Sequence, residues 1–225
     1  MFQVKNKFII FSLLITTIAL PSMFVNDSTD HVIISGSYES ESDPSGTTSE
    51  FRIQGEYVFY GNFSLGVSFL SGSYEAEDSF EDEQDYDVTG YGLNMSYHIK
   101  DSPYPVDYSL SAGYSGIELN SDFLDAANIQ ATGTSINYGL EIYKSIIKRD
   151  SFELIPFVGL FGLEYKSEVK DGYGNSVESN DESTIFKFGL GIKAGNAFIV
   201  PAISQNDGDS NFNITFGMLL PQPKN

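Results

Sequence analysis

The sequence predicts an all-β chain closed into an antiparallel, up-and-down transmembrane β-barrel of about ten strands, with eight as the alternative. Three observations lead there. The chain opens like an exported protein. From residue 31 to about 220 its apolar residues recur with period two and almost never with helical period. The joins between those segments alternate between tight and long.

The start, "MFQVKNKFIIFSLLITTIALPS", sets Lys5 and Lys7 ahead of an apolar run from Phe8 to Leu20, then Pro21 and Ser22. That is the layout of a cleaved secretory leader, and the run is too short to span a bilayer as a helix of roughly 20 residues. The expected division is a signal peptide over 1–22, with Leu20 and Ser22 at the recognition positions. A short segment over 23–30, a barrel over 31–220 and a tail over 221–225 complete the chain. No cysteine occurs in the 225 residues, so neither a lipid anchor on a cysteine nor disulfide staples are available. A formal net charge of -19 argues against nucleic acid as a partner, because neutralising phosphates needs Lys and Arg.

The strands come in order. "HVIISGSYE" reads as the first. "FRIQGEYVFY" places Phe51, Ile53, Tyr57 and Phe59 on one face and Arg52, Gln54 and Glu56 on the other. "FSLGVSFL" sets Phe63, Leu65, Val67 and Phe69 against Ser64, Gly66 and Ser68. "VTGYGLNMSYHIK" sets Tyr91, Leu93, Met95, Tyr97 and Ile99 against Gly90, Gly92, Asn94, Ser96 and His98. The same alternation marks "VDYSLSAGYS" from Val106, "SINYGLEIY" from Ser135, "IFKFGLGIK" from Ile185 and "NFNITFGML" from Asn211. "FELIPFVGLFGLEY" is apolar on both faces, and "FIVPAISQ" is short, with Pro201 unable to donate to a ladder.

Gly61-Asn62, Gly195-Asn196, "DSPYP" and "KRDS" make tight joins. "SESDPSGTTS", "EAEDSFEDEQDYD", "NSDFLDAAN", "VKDGYGNSVESNDES" and "NDGDS" are longer or acidic. Short and long joins therefore fall on opposite ends of the sheet, as in outer-membrane barrels. The second face of each strand is mostly Gly, Ser, Asn and Thr, where a soluble barrel would present Lys, Glu and Thr to water. Small residues suit a narrow lumen in which side chains converge. The bulky set then faces hydrocarbon, with Tyr57, Tyr60, Tyr97, Tyr104, Tyr114, Tyr143 and Tyr165 near strand ends as an aromatic girdle.

The leader, the Gly-aromatic strands "YGLNMSY" and "FKFGLGIK" and the terminal "NFNITFGMLL" together resemble the small Gram-negative outer-membrane barrels of the OmpA/OmpX/opacity-like group. The resemblance covers residues 31–220. It implies an outer-membrane monomer in contact with outer-membrane lipids and lipopolysaccharide, with no cofactor. One departure is the end of the chain, "LLPQPKN", where such proteins close on an aromatic residue.

Some barrels of this size are hydrolases, and these need a general base at the outer rim. The two histidines, His31 and His98, fall at the opposite end, and the expectation is a protein without catalysis. Five charges fall on the inner face: Arg52, Glu56, Glu141, Lys187 and Lys193. They are expected to pair across the interior and plug it, since unpaired charges in a dry lumen are costly. A selective pore for ions or hydrophobic solutes is the alternative, and an outer-membrane hydrolase ranks third. The join holding Glu81, Asp82, Glu83 and Asp85 supplies hard oxygen ligands that could bridge divalent cations to lipopolysaccharide phosphates, although its spacing matches no calcium loop. No metal site within the barrel is expected. The functional expectation is a structural or cell-surface role.

Overall fold

The structure, a computed structural model, describes residues 21–25, 29–43, 46–76, 84–100, 105–149, 151–206 and 209–222. Its strands are β1 (His31–Asp43), β2 (Gly46–Phe59), β3 (Phe63–Ala76), β4 (Gln84–Ile99), β5 (Asp107–Asn120), β6 (Gln130–Tyr143), β7 (Ile147–Arg149), β8 (Phe152–Lys170), β9 (Ser176–Ala194), β10 (Ala197–Asn206) and β11 (Asp209–Pro221). Each long strand pairs antiparallel with its sequence neighbours. β1 pairs with β11, and β6 pairs with β8, so ten long strands form a closed barrel. The eight-stranded alternative is thereby set aside.

β7 is a continuation of β6 beyond a bulge. Tyr143 faces Phe157, and then Ile147 faces Leu154, so four steps along one strand match three along the other. The extra residue shifts the phase of the strand beyond it, which puts Ile147 and Arg149 opposite the outward-facing Leu154 and Phe152.

Period two separates the faces. On β4 Tyr91, Leu93, Met95, Tyr97 and Ile99 keep between 42% and 59% of their surface exposed, while Ser96 and His98 keep 2% or less. The same partition runs round the barrel: Phe69, Leu140, Leu160, Phe188 and Phe216 point out, and Gln54, Ser111, Ser135, Lys187 and Thr215 point in.

Large residues on both faces need space from a neighbouring strand, and glycine provides it. Outside, Tyr91 lies over Gly116 and Tyr138 over Gly162. Inside, Phe157 lies over Gly189, Phe198 over Gly217 and Asn137 over Gly113. A Cβ on any of these glycines would meet the overlying side chain at 2.5–2.9 Å, so it would push that side chain off. The repeated Gly-aromatic motifs are thus cross-strand fits.

Three features depart from the sequence reading. The interior is not merely small and polar. Toward the end of the long joins Leu70, Tyr74, Val88, Ile117, Phe161, Leu163 and Ile185 form a buried cluster within the barrel. Tyr143 and Tyr165, expected in the girdle, point inward with 5% exposure or less, because they share the phase of Glu141 and Leu163; Tyr104 lies outside the described residues. The join after β5 holds a helix, α1 (Asp122–Ala127). The Ser121 Oγ caps it by accepting from the Leu124 N–H at 3.2 Å, Asn128 ends it at φ 53, and Leu124 drops into the cluster.

Two of the long joins are taken up largely by strand: Gly46–Ser49 belongs to β2 and Ser176–Ser183 to β9. β8 and β9 run on for 19 residues each; β8 stays paired with β6 as far as Lys170, whereas β9 before Ile185 pairs with β8 alone and has both faces exposed. The β8–β9 tip is built on Asp171. The Asp171 carboxylate accepts from the Tyr173 N–H (3.0 Å), the Asn175 N–H (2.8 Å) and the Asn175 Nδ2 (2.8 Å), and Gly174 takes φ 87. The Asn175 side chain and backbone hold the Asp171 carboxyl below the ordinary carboxylate range. A lowered folded value means the bonds are in place above about pH 4 and are lost as pH falls through the lowered value. Asp171→Ala should therefore speed amide exchange at Tyr173 and Asn175 at pH 7. Acidification of the unaltered protein to below that value should lower the protection factors of the same two amides relative to their intrinsic rates, and neither change should disturb the barrel ladder.

Candidate functional site

The barrel interior is the site that the topology builds, and it has three levels. At the long-strand end the apolar cluster under α1 fills the lumen.

The middle level is a charged belt. The Arg52 Nη2 donates to the Glu50 Oε1 at 3.2 Å, two residues along its own strand. Glu39 on β1 stands directly opposite Glu50 on β2, both buried. Glu141 on β6 and Lys187 on β9 occupy one row with Gly159 of β8 between them. A Cβ at Gly159 would lie 2.9 Å from the Glu141 Cγ, so glycine is what lets the chains lean over that strand. The Lys187 ammonium is the opposite charge acting on Glu141, and Glu39 acts on Lys187 as well. Alongside lies a cavity with about 20 Å³ of room for water centres, walled in part by Arg52, Gln54, Ser68, Asn94, Ser115 and Asn137. That is space for a water or two. Arg52 Nε, Gln54 Nε2, Asn94 Nδ2 and Asn137 Oδ1 are buried there without protein partners, which makes the cavity polar.

The lowest level, at the short-turn end, contains the chain's own N-terminal segment. Pro21–Phe24 forms one 3-10 turn, and Ser22, Met23, Phe24 and Val25 are buried to within 2%. The Ser22 Oγ lies 2.6 Å from the His98 Nε2, which is also 3.1 Å from the Ser96 Oγ. The Tyr143 hydroxyl is 3.0 Å from the His98 Nδ1, and Ser64 and Ser96 hydroxyls are 2.6 Å apart. Glu56 lies beside Ser22, Ser64 and Lys100, though neither of its carboxylate oxygens makes a hydrogen bond of ordinary geometry. The Lys100 Nζ donates to the carbonyls of Ser22 (3.3 Å), Val25 and Gly61 (2.7 Å), and the Lys193 Nζ donates to the Phe24 carbonyl at 3.1 Å.

All five charges singled out in the sequence point into the lumen, at more than one level. Arg52 bonds to Glu50, Glu141 and Lys187 face each other, Glu56 sits a level lower, and Lys193 holds backbone. Sequence reasoning missed Glu39, Glu50 and Glu153, although each falls on the inward phase of its strand. It also missed the buried N-terminal segment, for which alternation gives no signal. Glu81, Asp82 and Glu83 lie outside the described residues; Asp85 is the second residue of β4, opposite Glu75. Among the described residues no group of three or more His, Cys, Asp and Glu side chains could hold a metal ion.

Chemically, the nucleophile-and-base arrangement that the described residues offer is Ser22 or Ser96 with His98. His98 has 0% exposure, enclosed by Ser22, Ser96 and Tyr143, so a substrate has no approach to it in this arrangement. The His31 Nδ1 donates to the Thr29 carbonyl at 3.0 Å at the start of β1.

No protein-family model matches the chain, and no curated protein matches it. Solved structures do. The translocator domain of the autotransporter NalP from Neisseria meningitidis matches with a TM-score of 0.57 at 12% identity, over 88% of this chain and 91% of that one. The β domain of the Bordetella autotransporter BrkA gives 0.52 at 10% identity, over 86% and 99%. The outer membrane protein OprG from Pseudomonas aeruginosa gives 0.42 at 9% identity, over 87% and 97%. At these identities the likeness is one of fold: a closed antiparallel barrel.

The belt yields a testable consequence. Lys187→Met leaves Glu141 facing no nearby cation and should lower unfolding stability by about 3–5 kcal/mol. Adding Glu141→Leu should restore most of that loss, because the buried charge goes too. Urea unfolding followed by electrophoretic mobility measures both.

Proposed function

We propose that this chain is a β-barrel of a Gram-negative outer membrane, exported through a cleaved leader, with its lumen filled and its role structural or at the cell surface. The observation that carries the reading is the outward face. Ile53, Val67, Phe69, Leu93, Leu160 and Phe216 are each between 48% and 60% exposed, on strands spread round the barrel. A soluble monomer rarely shows so continuous an apolar surface. A closed sheet is the β-architecture that hydrocarbon tolerates, because every ladder group is paired within it.

The filled interior favours a role outside transport. The apolar cluster, the charged belt and the N-terminal segment succeed one another along the lumen, and the cavity between them holds a water or two. A small channel is the second reading, and the polar walls of that cavity are what favour it. The hydrolase reading has only the enclosed His98 to rest on. The β8–β9 hairpin, with Tyr173 at its tip 95% exposed, is the surface offered to the outside. Outer-membrane lipids and lipopolysaccharide are the partners this reading implies. Divalent cations bridging Glu81, Asp82, Glu83 and Asp85 to phosphate belong to the same proposal, as does a monomeric state. The narrower placement in the OmpA/OmpX/opacity-like group rests on the quoted strand motifs alone.

Fractionation tests the address and planar-bilayer recording tests the lumen. The protein should resist carbonate extraction, sediment with the outer membrane and migrate differently with and without boiling. It should add no large, steady conductance to a bilayer. Extraction by carbonate without detergent contradicts the membrane reading, and steady conductance contradicts the filled lumen.

A further inference from the structure

The leader's own small residues point to a cut after Ser22, yet Ser22 is among the most enclosed residues of the barrel. We propose that the leader is removed on the N-terminal side of Ser22, and that Ser22–Val25 stays on the mature chain as a plug in the short-turn end of the lumen. The proposal rests on the reading of the chain as an exported barrel, and it adds a processing site and a purpose for the residues beside it.

Four groups of contacts hold this segment in the barrel. The Ser22 hydroxyl engages His98 at 2.6 Å and approaches Ser96 at 3.4 Å. Lys100 and Lys193, from β4's end and from β9, donate to three of its carbonyls: Ser22, Phe24 and Val25. The Phe24 ring packs 5.2 Å from that of Phe198 and covers the inward Gly191, where a Cβ would come within 2.7 Å of it. Met23, Phe24 and Val25 complete an apolar cluster with Ile33, Val58, Tyr143, Ile155, Phe157, Val200 and Leu219.

Those wall residues make little sense without an occupant. A barrel interior is an odd place for Ile155, Phe157, Phe198 and Val200 to converge beside two lysines unless something apolar, with free carbonyls, fills the space. The 3-10 turn supplies both: its Ser22 carbonyl accepts from the Val25 N–H at 3.1 Å and has room for Lys100 besides, and the Phe24 and Val25 carbonyls at its end accept from the lysines. A cut after Ser22 would remove the hydroxyl on His98 and one of the three carbonyls, and would place a new cationic amine at Met23, between Lys100 and Lys193. A cut upstream avoids both penalties. The sequence offers one: Thr17-Ile18-Ala19 sets small residues two apart ahead of Leu20, closer to the small-x-small pattern than Leu20-Pro21-Ser22. Chemically the step is peptide hydrolysis by a leader peptidase of the export route. Water gives its hydroxyl to the released leader's carboxyl and its proton to the new amine of the mature chain.

Intact mass and thiol labelling together test this. The chain has no cysteine, so Ser96→Cys gives a single thiol beneath the plug. The full-length gene is expressed, and the heat-modifiable protein is taken from the outer membrane. Its mass should include Ser22, and Cys labelling by a small maleimide should be slow. Deleting Ser22–Val25 in the same background should speed labelling at least tenfold. Phe24→Ser, which keeps the backbone contacts, should speed it by less, and it decides the matter should the deletion fail to fold. A mass beginning at Met23 or later overturns the processing site. Unchanged labelling in a folded variant overturns the plug. Loss of the heat-modifiable band in the unaltered protein is a failure of the barrel reading, which fractionation registers separately.

Discussion

Closure of the ladder is the constraint on which everything else depends. A strand inside a closed barrel spends all its backbone N–H and C=O groups on two neighbours, and here β1 meets β11 and β6 meets β8 to complete the ring. Once the ring is closed each side chain has two destinations only, and period two assigns them without exception along a regular strand. One phase becomes a convex apolar surface, and the other becomes a crowded column. The β6–β7 bulge is the place where the phase slips, and it does so at the short-turn end, where the strand is about to leave the ring.

Crowding then governs the interior. Ten strands leave room for side chains but little more, and large groups fit only where the next strand gives way. Phe157 over Gly189 and Asn137 over Gly113 are instances, and the Glu141–Gly159–Lys187 row applies the same device to charge. Glycine in this protein therefore works at the level of packing between strands rather than of backbone freedom. The exceptions are the tight turns, where Gly61 and Gly195 take φ values of 71 and 61. A barrel without disulfides needs such cross-strand fits, because no covalent staple holds its register.

Much of the fold was legible because the alternation is strict and the environment on either side of a membrane-type barrel is so unlike. The strand count, the two ends of the sheet and most of the phases can be read from positions such as Tyr91/Gly92 and Phe188/Gly189, while Phe152–Tyr165, apolar on both faces, carries no phase signal. The join after β8 was misjudged because β9 there pairs with β8 alone and loses its alternation. With water on both faces, Ser176–Glu182 has no reason to be apolar at every second position. α1 was hidden by its length, although Ser121 before Asp122 and Asn128 after Ala127 are its cap residues. Tyr143 and Tyr165 were assigned by residue type, when their phase with Glu141 and Leu163 would have turned them inward.

The candidate site was less legible, for a physical reason. Inward parity identifies which charges enter the lumen but not how far round the ring each can reach, so Arg52 was expected to bond across the barrel and instead bonds along its own strand to Glu50. Contacts such as Ser22 with His98, 76 residues apart in the chain, have no periodic signature at all. The central claim, that the bulky phase meets acyl chains, is tested most directly by placing a reporter on each phase. The chain has no tryptophan, so Phe188→Trp on the outer face and Phe161→Trp on the inner face each give one emitter. In vesicles of lipids brominated on the acyl chain the account predicts strong quenching of the first and little of the second. Equal quenching, or the reverse order, would contradict it.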